Sequence, residues 1–247
     1  MDLVERGSQT ARDGFKNEDD IVKKFNNWKN DEDAQNWLIQ MSYNISEIEH
    51  VEAIKISGYK TDVQVQVSIK LKKAIDVENL QVKLVSTQQG GFNQIDKRWV
   101  DKYVEMWNIP ENIASILKRY TGEEKPSIEN AKDKRRMFAN EFSEMEQEFV
   151  LNWLSKNQSL IVSDIMKGRG KFAAEWMLVA HKIKIDARWV LKSMNFCMNY
   201  FGNGAIEITQ RGTFKIGKIT MQRKGGDGGR KTANMLQFKI NPARLFD

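Results

Sequence analysis

The chain contains very few of the residues that build disulfide frameworks, zinc sites and flexible linkers. Its 247 residues include one cysteine, two histidines and three prolines. A single Cys197 excludes disulfide frameworks and cysteine-rich zinc sites, and His50 and His181 do not have the spacing of a metal motif. Cys197 lies in an apolar run and is expected to be a core residue, not a nucleophile. With so few prolines and no long Ser, Gly or Pro tract, the sequence also argues against a flexible interdomain linker.

Long apolar runs are absent as well. No stretch is apolar enough to cross a bilayer and no secretory signal is recognisable, so we expect a reducing cytoplasm and no membrane partner. What the chain does have is positive charge, with a formal net charge of +6 and a pI near 9.2. This balance favours a polyanionic partner without identifying it.

Two stretches with the two-residue period of half-buried strands surround a group of polar side chains. Apolar and polar residues alternate from Val63 to Ile69, and a second β-rich run follows a charged turn at 70–78. If the two strands pair, Asp62 lies at the end nearest Gln81 and Lys83. Because side chains alternate across a strand, Gln81 and Lys83 point to one face while Val82 points into the core.

One carboxylate, one amide oxygen and one ammonium group at a sheet edge have a chemical use. Mg²⁺ prefers oxygen ligands and keeps several waters, so Asp62, Gln81 and the Val82 carbonyl can hold it against a phosphate. Lys83 can then orient or deprotonate a water and offset negative charge. The spacing alone leaves a second interpretation open, in which Asp62 ends a turn and Gln81 and Lys83 form a solvated strand face.

Hydrophobic periodicity predicts a mixture of helices and strands elsewhere. Helices are predicted from Ile21 onward, after Asp31, from Ile95 to Trp107, after Pro110, and over 144–156, 160–166 and 188–200; strands are predicted over 50–57, 175–185, 205–208, 213–221 and 235–240. The acidic residues before Ile21 are expected at a helix N-terminus, after a polar, frayed start. Among them, Glu18 is a candidate accessory acid that can reach the Asp62 patch, although stabilising the helix dipole would equally explain it.

Three further segments have the residue types that contact DNA. Asn93, Gln94 and Lys97 follow an amide-rich loop, and such side chains can pair with base edges in the major groove. The basic cluster 132–136 can follow phosphates. A glycine-rich loop at 222–232 can bring main-chain amides close to an anion, although it is not a Walker loop. Its candidate DNA-contacting residues are Arg223, Lys224, Gly225, Gly226, Asp227 and Arg230. Solvated loops and helix faces would explain all three segments equally well.

Asp62, followed after eighteen intervening residues by Gln81-Val82-Lys83, resembles the variant PD-(D/E)xK signature of the HinP/Msp-type restriction endonucleases. In that signature Gln or Asn replaces the second acidic ligand. The chain is similar to the GCGC-cutting HinP branch over nearly its whole length. The motifs that carry this resemblance are Gly7-Ser8, 13–18, 57–60, 91–97, 132–138, 172–176, 187–189, 222–227 and 232–239.

The resemblance implies an α/β fold with a mixed central β-sheet flanked by helices. It also implies Mg²⁺-dependent hydrolysis of double-stranded DNA at a GC-only four-base palindrome, GCGC cut after the first G. Asp62, Gln81 and the Val82 carbonyl become metal ligands, and Lys83 becomes the catalytic lysine. A separately encoded DNA methyltransferase is the implied functional partner, and a homodimer is left open.

Two departures from the family pattern matter. Thr61 stands where the family has serine, so it keeps a hydroxyl and adds a methyl group. The loop ending in Gly90-Gly91 is one residue longer than the family form, which bears directly on the recognition sequence because it leads to Asn93 and Gln94.

The sequence predicts a single endonuclease domain over 1–247, with a catalytic core at about 13–107, a helical insertion at about 108–170 and a β-rich DNA-contacting part at about 171–247. Two other functions fit the same residues. One is a structure-selective DNA repair nuclease of the same superfamily, and the other is a basic DNA-binding protein that does not cleave.

Overall fold

A computed structural model describes residues 3–69, 74–183, 186–226 and 229–247. They form two compact units, each assembled from separate parts of the chain. The mixed-sheet unit comprises Ser8–Gly91, Met166–Cys197 and Asn241–Asp247, and the antiparallel-sheet unit comprises Met1–Gly7, Phe92–Ile165 and Met198–Ile240. These bounds do not follow the predicted core, insertion and C-terminal part, and a single functional domain stays a prediction.

The mixed-sheet unit is built on strands in the order β1-β2-β3-β5-β6. Their bounds are β1 Ile48–Lys55, β2 Val63–Ile69, β3 Ala74–Val85, β5 Trp176–Ile183 and β6 Asp186–Ser193. β3 and β5 run parallel, whereas the other neighbours are antiparallel. The predicted hairpin is therefore confirmed: β2 pairs with β3, and Val63 lies opposite Leu80. The predicted turn at 70–78 was wrong in its second part, because β3 already begins at Ala74, which pairs with Ile69 on β2; residues 70–73 lie outside the described residues.

Helices α1 (Leu3–Asn26) and α2 (Glu32–Gln40) contribute the apolar side chains that cover this sheet. Ile21 and Phe25 on α1 are completely buried, and the Phe25 ring lies 5.2 Å from that of Trp37 on α2. Asp31 caps α2 as predicted, since its Oδ1 accepts from the Ala34 N–H at 3.0 Å. The prediction for α1 was wrong at its start: the helix begins at Leu3, so Glu18 lies inside it. The polar residues before Ile21 therefore lie inside a helix and do not mark its N-terminus.

The antiparallel-sheet unit has the strand order β4-β10-β9-β8-β7. The strands are β4 Asn93–Arg98, β7 Ile206–Ile208, β8 Phe214–Ile216, β9 Ile219–Arg223 and β10 Leu236–Ile240. Helices of this part of the chain are α3 Val100–Trp107, α4 Glu111–Thr121, α5 Glu144–Lys156, α6 Gln158–Met166 and α7 Met194–Gly202. Tyr103 and Trp107 pack edge-on against Phe238, with ring centroids 5.5 and 6.0 Å away. One face of the sheet is thus covered by helices.

Two predicted helices proved wrong in part. Residues 93–98 form the edge strand β4, and the helix begins only at Val100. Likewise, 186–193 form β6, and α7 begins at Met194. In both places the apolar residues fit a helical period, but pairing with β10 or β5 decides the conformation. The run 213–221 is also divided, because Gly217 at φ +55° turns the chain between β8 and β9.

The predicted α/β class is confirmed: a mixed sheet flanked by helices gives the architecture of restriction-endonuclease-like proteins. Over the described ranges, no helix has the length and apolar character needed to cross a membrane.

Candidate active site

The end of the β2–β3 hairpin fixes the position of Asp62. The Asp62 N–H donates to the Leu80 carbonyl at 2.8 Å, and the Asp62 carbonyl accepts from the Ile56 N–H at 3.0 Å. Its side chain bends back onto β3, where Oδ2 accepts from the Val82 N–H at 2.7 Å. Because a residue's N–H and carbonyl point to the same side of a strand, the Val82 carbonyl faces the same side as this carboxylate. As predicted, Asp62 lies beside Gln81 and Lys83.

Gln81 is buried, contrary to the solvated strand face that the spacing also allowed. Only 2% of the residue is exposed, and its Oε1 atom has no hydrogen-bond partner among the described residues. A buried acceptor without a partner costs free energy, and native structures avoid it except where a ligand or ordered water completes the bonding. The Gln81 side chain is therefore the observation that most directly indicates a ligand at this edge.

Glu18 on α1 belongs to the same electrostatic cluster. Its Oε2 atom lies 3.5 Å from Lys55 Nζ, and its carboxylate also interacts with Asp62 and Lys83. The preceding side chain, Asn17, is buried and has no partner for either amide atom among the described residues. The two buried amides with unpaired atoms, Asn17 and Gln81, thus both lie next to predicted site residues.

Burial has the largest effect on the pKa of both carboxylates, Asp62 and Glu18. It raises the pKa of Asp62, against the opposing effects of the Lys83 ammonium group, the Val82 N–H and Lys60. It also raises the pKa of Glu18, where the nearby Asp62 charge adds to the shift and Lys55 and Lys83 oppose it. Both raised pKa values mean that the ionised carboxylates are destabilised in the folded protein, and a bound cation would offset this destabilisation.

A second layer of contacts holds the hairpin end. Asn79 Nδ2 donates to the carbonyls of Lys171 and Ala173 at 3.0 and 3.1 Å, and its Oδ1 accepts from Gln64. The Thr61 hydroxyl donates to the Phe172 carbonyl at 2.8 Å, and Thr61 is completely buried. The departure from serine at Thr61 therefore preserves a hydroxyl that anchors the backbone next to Asp62.

The donor set at this edge fits a hard cation such as Mg²⁺. It combines the Asp62 carboxylate and the Val82 main-chain carbonyl, which face the same side of β3, with the unpaired amide oxygen of the adjacent residue Gln81, and such ions accept oxygen donors of this kind while keeping waters. No group of three or more His, Cys, Asp or Glu side chains with metal-binding geometry occurs in the described part of the chain. The site at Asp62 and Gln81 is of a different kind, because it combines one carboxylate with an amide and a main-chain carbonyl.

A family model for R.HinP1I restriction endonuclease matches residues 41–246. The chain belongs to the R.HinP1I restriction endonuclease family. Restriction endonucleases cleave double-stranded DNA at specific sites and generally use a divalent metal ion, so this protein is a nuclease of that class. The matched range includes Asp62, Gln81 and Lys83 but begins after Glu18. No protein with a curated description matches the chain.

The antiparallel sheet of this restriction endonuclease has one face covered by helices and one polar face. Gln94 lies opposite Lys239 on β10, and Lys97 lies opposite Gln237. Gln237 in turn pairs with Gln222 on β9. Because paired residues share a face, these side chains line the polar face opposite Phe238. Lys97, Lys239, Gln94 and Gln222 thus share this face, whereas Gln237 is buried there, with its Nε2 donating to the carbonyls of Arg223 and Lys224 at 3.3 and 3.1 Å.

The structure does not bring all the predicted DNA-contacting residues together. Asn93 lies opposite Ile240, and so on the helix-covered face away from Gln94. Arg223 lies opposite Leu236 on that same face, where its guanidinium donates to Asn234 Oδ1 at 2.8 and 3.2 Å. Burial, with the charges of the neighbouring Arg135 and Arg136, lowers the pKa of Arg223.

The Asp96 carboxylate on β4 is buried on the helix-covered face as well. Its oxygens accept from the Tyr103 hydroxyl and the Arg98 guanidinium. A cytosine amino group would have to displace these contacts. Sequence reasoning missed Lys239 and Gln222, because only strand pairing places them beside Lys97; the polar–apolar alternation along β9 and β10 was the available signal.

The glycine-rich loop offers fewer free amides than its composition suggested. The Lys224 N–H donates to the Met235 carbonyl and the Gly225 N–H to the Ala233 carbonyl, both at 2.8 Å. Gly226 and Arg230 are exposed. Asp227 lies outside the described residues. Exposed cations, more than main-chain amides, are what this segment presents.

The surroundings of Cys197 and His181 indicate that both residues have structural roles. Cys197 is completely buried, and burial raises the pKa of its thiol to about 12, which makes it a poor nucleophile. The His181 ring is hydrogen-bonded on both sides, to the Thr87 carbonyl at 2.9 Å and to Arg188 Nε at 2.9 Å. The prediction that Cys197 is a core residue is confirmed.

Proposed function

We propose that this protein is a Mg²⁺-dependent type II restriction endonuclease that cuts double-stranded DNA at GCGC after the first G, leaving short 5′ overhangs. The observation that supports the chemistry best is the buried, unpaired Oε1 of Gln81 beside the Asp62 carboxylate. The recognition sequence rests on the resemblance to the HinP branch.

Asp62 Oδ1, Gln81 Oε1 and the Val82 carbonyl would hold the magnesium ion. When bound, Mg²⁺ lowers the pKa of a coordinated water and offsets negative charge on the phosphate. The Val82 N–H holds the Asp62 carboxylate in place through Oδ2, so that Oδ1 stays free toward the ligand. The protein thus orients two oxygens before substrate arrives, which keeps the cost of assembling the site low.

Lys83 and Glu18 complete the proposed chemistry. The Lys83 ammonium group orients the attacking water and stabilises charge that develops on the phosphate oxygens. Glu18, whose pKa burial raises, supplies the accessory acidic side chain, and in its ionised form it would accept a hydrogen bond from a water in the site. Neither role requires movement of the hairpin.

Base reading is assigned to the polar face of the antiparallel sheet. Lys97 and Lys239 can donate to guanine O6 and N7, while the amides of Gln94 and Gln222 can both donate and accept. A four-base site offers few contacts, so each wrong base pair must cost on the order of 1–3 kcal/mol. Arg230 and the rest of the 222–232 loop would contact phosphates.

The deciding experiment uses Mg²⁺ and four linear DNAs that carry GCGC, CCGG, CGCG or GGCC once each, followed by sequencing of the product ends. Cleavage of the GCGC substrate alone, one nucleotide into the site, is expected. Cleavage of a different substrate would refute the recognition sequence but not the Asp62–Gln81–Lys83 chemistry. Nicking of branched DNA would favour a repair nuclease, and tight binding without cleavage under any divalent ion would favour a DNA-binding protein.

A cytoplasmic nuclease of this specificity also requires protection of the host DNA. A separately encoded methyltransferase acting on the same sequence would provide that protection. A homodimer would match the two-fold symmetry of a palindrome, and light scattering with and without DNA measures the assembly directly.

A further inference from the structure

The antiparallel-sheet unit contains a basic cleft of about 810 Å³, lined by the segment that begins at Lys132 and by the turn between β7 and β8. Its lining includes the cations Lys132, Lys134, Arg135 and Arg211. The lining acid, Asp133, is already bound by Arg135, with an Nε–Oδ1 distance of 2.8 Å. No ion pair to the side chain of Lys132, Lys134 or Arg211 occurs within the described ranges, although the Lys132 main-chain N–H donates to Glu141 Oε1 at 2.7 Å. The cleft therefore presents positive charge that the protein itself does not neutralise.

The two walls of the basic cleft are joined by the fold. The Gly212 carbonyl accepts from the Ala139 N–H at 2.9 Å, and Asn140 Nδ2 donates to the Gln210 carbonyl at 3.3 Å. Gly212 has φ +70°, and a Cβ there would lie 2.7 Å from Phe138 Cβ, so only glycine fits. One main-chain hydrogen bond, one side-chain hydrogen bond and the close packing at Gly212 thus hold the two walls together.

The basic cleft continues into a second cleft on the polar face of the sheet. That second cleft, of about 680 Å³, shares Gln210 and Arg211 with the first and is also lined by Thr220 and Gln222. An extended polyanion lying across the polar face can therefore continue into the basic cleft without leaving the protein surface.

The antiparallel sheet is wider than a four-base site is long. β7 and β8 lie at the sheet edge opposite β4. Four strand spacings of about 4.8 Å give roughly 19 Å between the two edges. Four base pairs at about 3.4 Å each span only about 14 Å. A duplex read at β4 and running across the sheet has passed the end of its recognition sequence when it reaches the β7–β8 turn.

We infer that the basic cleft binds the phosphate backbone of the DNA substrate outside the four-base recognition sequence. This inference rests on the proposed function, because it takes the polar face as the base-reading surface. Phosphate contacts of this kind add affinity that does not depend on sequence and that falls with salt, since each releases counterions. They would hold the duplex in register while few base contacts specify it.

The test compares two DNAs and two sets of three substitutions in EDTA. The cleft variant carries Lys132→Gln, Lys134→Gln and Arg211→Gln. The control variant removes the same charge at exposed lysines outside the cleft: Lys23→Gln, Lys125→Gln and Lys156→Gln. One DNA is a 24-base-pair duplex with a central GCGC, and the other is a hairpin whose stem ends one base pair beyond GCGC.

For the long duplex, the cleft variant is expected to reduce the slope of log K against log salt by roughly 2 to 3 units, at about 0.9 per lost phosphate contact. The control variant should leave that slope within about 0.5 unit of wild type. On the hairpin, the cleft variant and wild type should bind alike and, with Mg²⁺, cut alike, which also shows that the variant is folded.

An unchanged slope on the long duplex would overturn the inference, as would an equal loss on both DNAs or an equal loss in the control variant. Plasmid cleavage by the wild-type enzyme with Mg²⁺ is scored separately. A failure of the proposed nuclease activity and a failure of the cleft assignment therefore give different results.

Discussion

Replacing Gln81 with methionine tests separately what the buried amide costs in stability and what it contributes to metal binding. Methionine is unbranched and close to glutamine in size, so Gln81→Met removes the amide with little change in packing. The Oε1 atom of Gln81 is buried and unpaired, and an unsatisfied buried acceptor costs about 1–3 kcal/mol. The metal-free variant should therefore be more stable than wild type by about that amount, although most core substitutions destabilise.

Added Mg²⁺ should reverse this order, so that wild type becomes more stable than Gln81→Met. A ligand at 100 times its Kd stabilises the native protein by about 2.7 kcal/mol. Wild type should gain on this scale when Mg²⁺ is added, and Gln81→Met should gain little and cut DNA at least 100-fold more slowly. For a chain of this length, 1 kcal/mol corresponds to roughly 2–4 °C in Tm, so both changes are measurable.

The assay is thermal and urea unfolding in EDTA and across a Mg²⁺ titration, with Gln81→Glu as the matched variant. A glutamate restores a second acidic ligand but buries another negative charge beside Asp62. It should be less stable than wild type in EDTA and gain more from Mg²⁺. The reasoning is refuted if Gln81→Met is destabilised in EDTA by 1 kcal/mol or more, roughly the net worth of one hydrogen bond, or if it keeps the full response to Mg²⁺.

Three further predictions test neighbouring groups. Lys83→Ala should lower the cleavage rate at least 100-fold, as expected for a lost proton-transfer group, while DNA binding in EDTA stays within about 2-fold of wild type. For Asp62, the folded pKa is raised, so the folded protein binds more protons than the unfolded one, and metal-free stability should fall as pH rises above about 4. Urea unfolding of Asp62→Asn between pH 4 and 7 should show a weaker dependence. Arg230→Ala should reduce the salt slope by about one unit on any sequence, and an unchanged slope would place this residue away from DNA.

Local pattern was sufficient to predict the hairpin that carries Asp62 and the strand β5. The alternation from Val63 to Ile69 is a property of the strand itself, and both strands bury one face on the helices of the mixed-sheet unit. The same reasoning failed for β4 and β6. In each of these strands the apolar residues are spaced as in a helix. Pairing decides the conformation: β4 pairs with β10, more than a hundred residues away, and β6 pairs with the neighbouring strand β5.

The candidate site was predictable in identity but not in environment. Asp62, Gln81 and Lys83 follow from strand alternation and from the resemblance to known enzymes, yet nothing local indicates that Gln81 is buried. Its burial depends on β5, which pairs with β3 in parallel and places Met177 opposite Gln81. Likewise, Lys239 becomes a neighbour of Gln94 only through the antiparallel sheet. Long-range pairing thus determines which polar residues share a surface.

The choice of a neutral amide at Gln81 follows from the electrostatics of the metal-free protein. Burial raises the pKa of both Asp62 and Glu18, so the site already holds negative charge at a cost. Two like charges about 4 Å apart repel by about 4 kcal/mol near a protein surface, a large part of the stability of a typical domain. An amide keeps the oxygen donor without that repulsion and gives up affinity for the cation. The DNA phosphate supplies the missing negative charge when substrate is bound, so Mg²⁺ should bind the protein alone and bind its complex with DNA more tightly still.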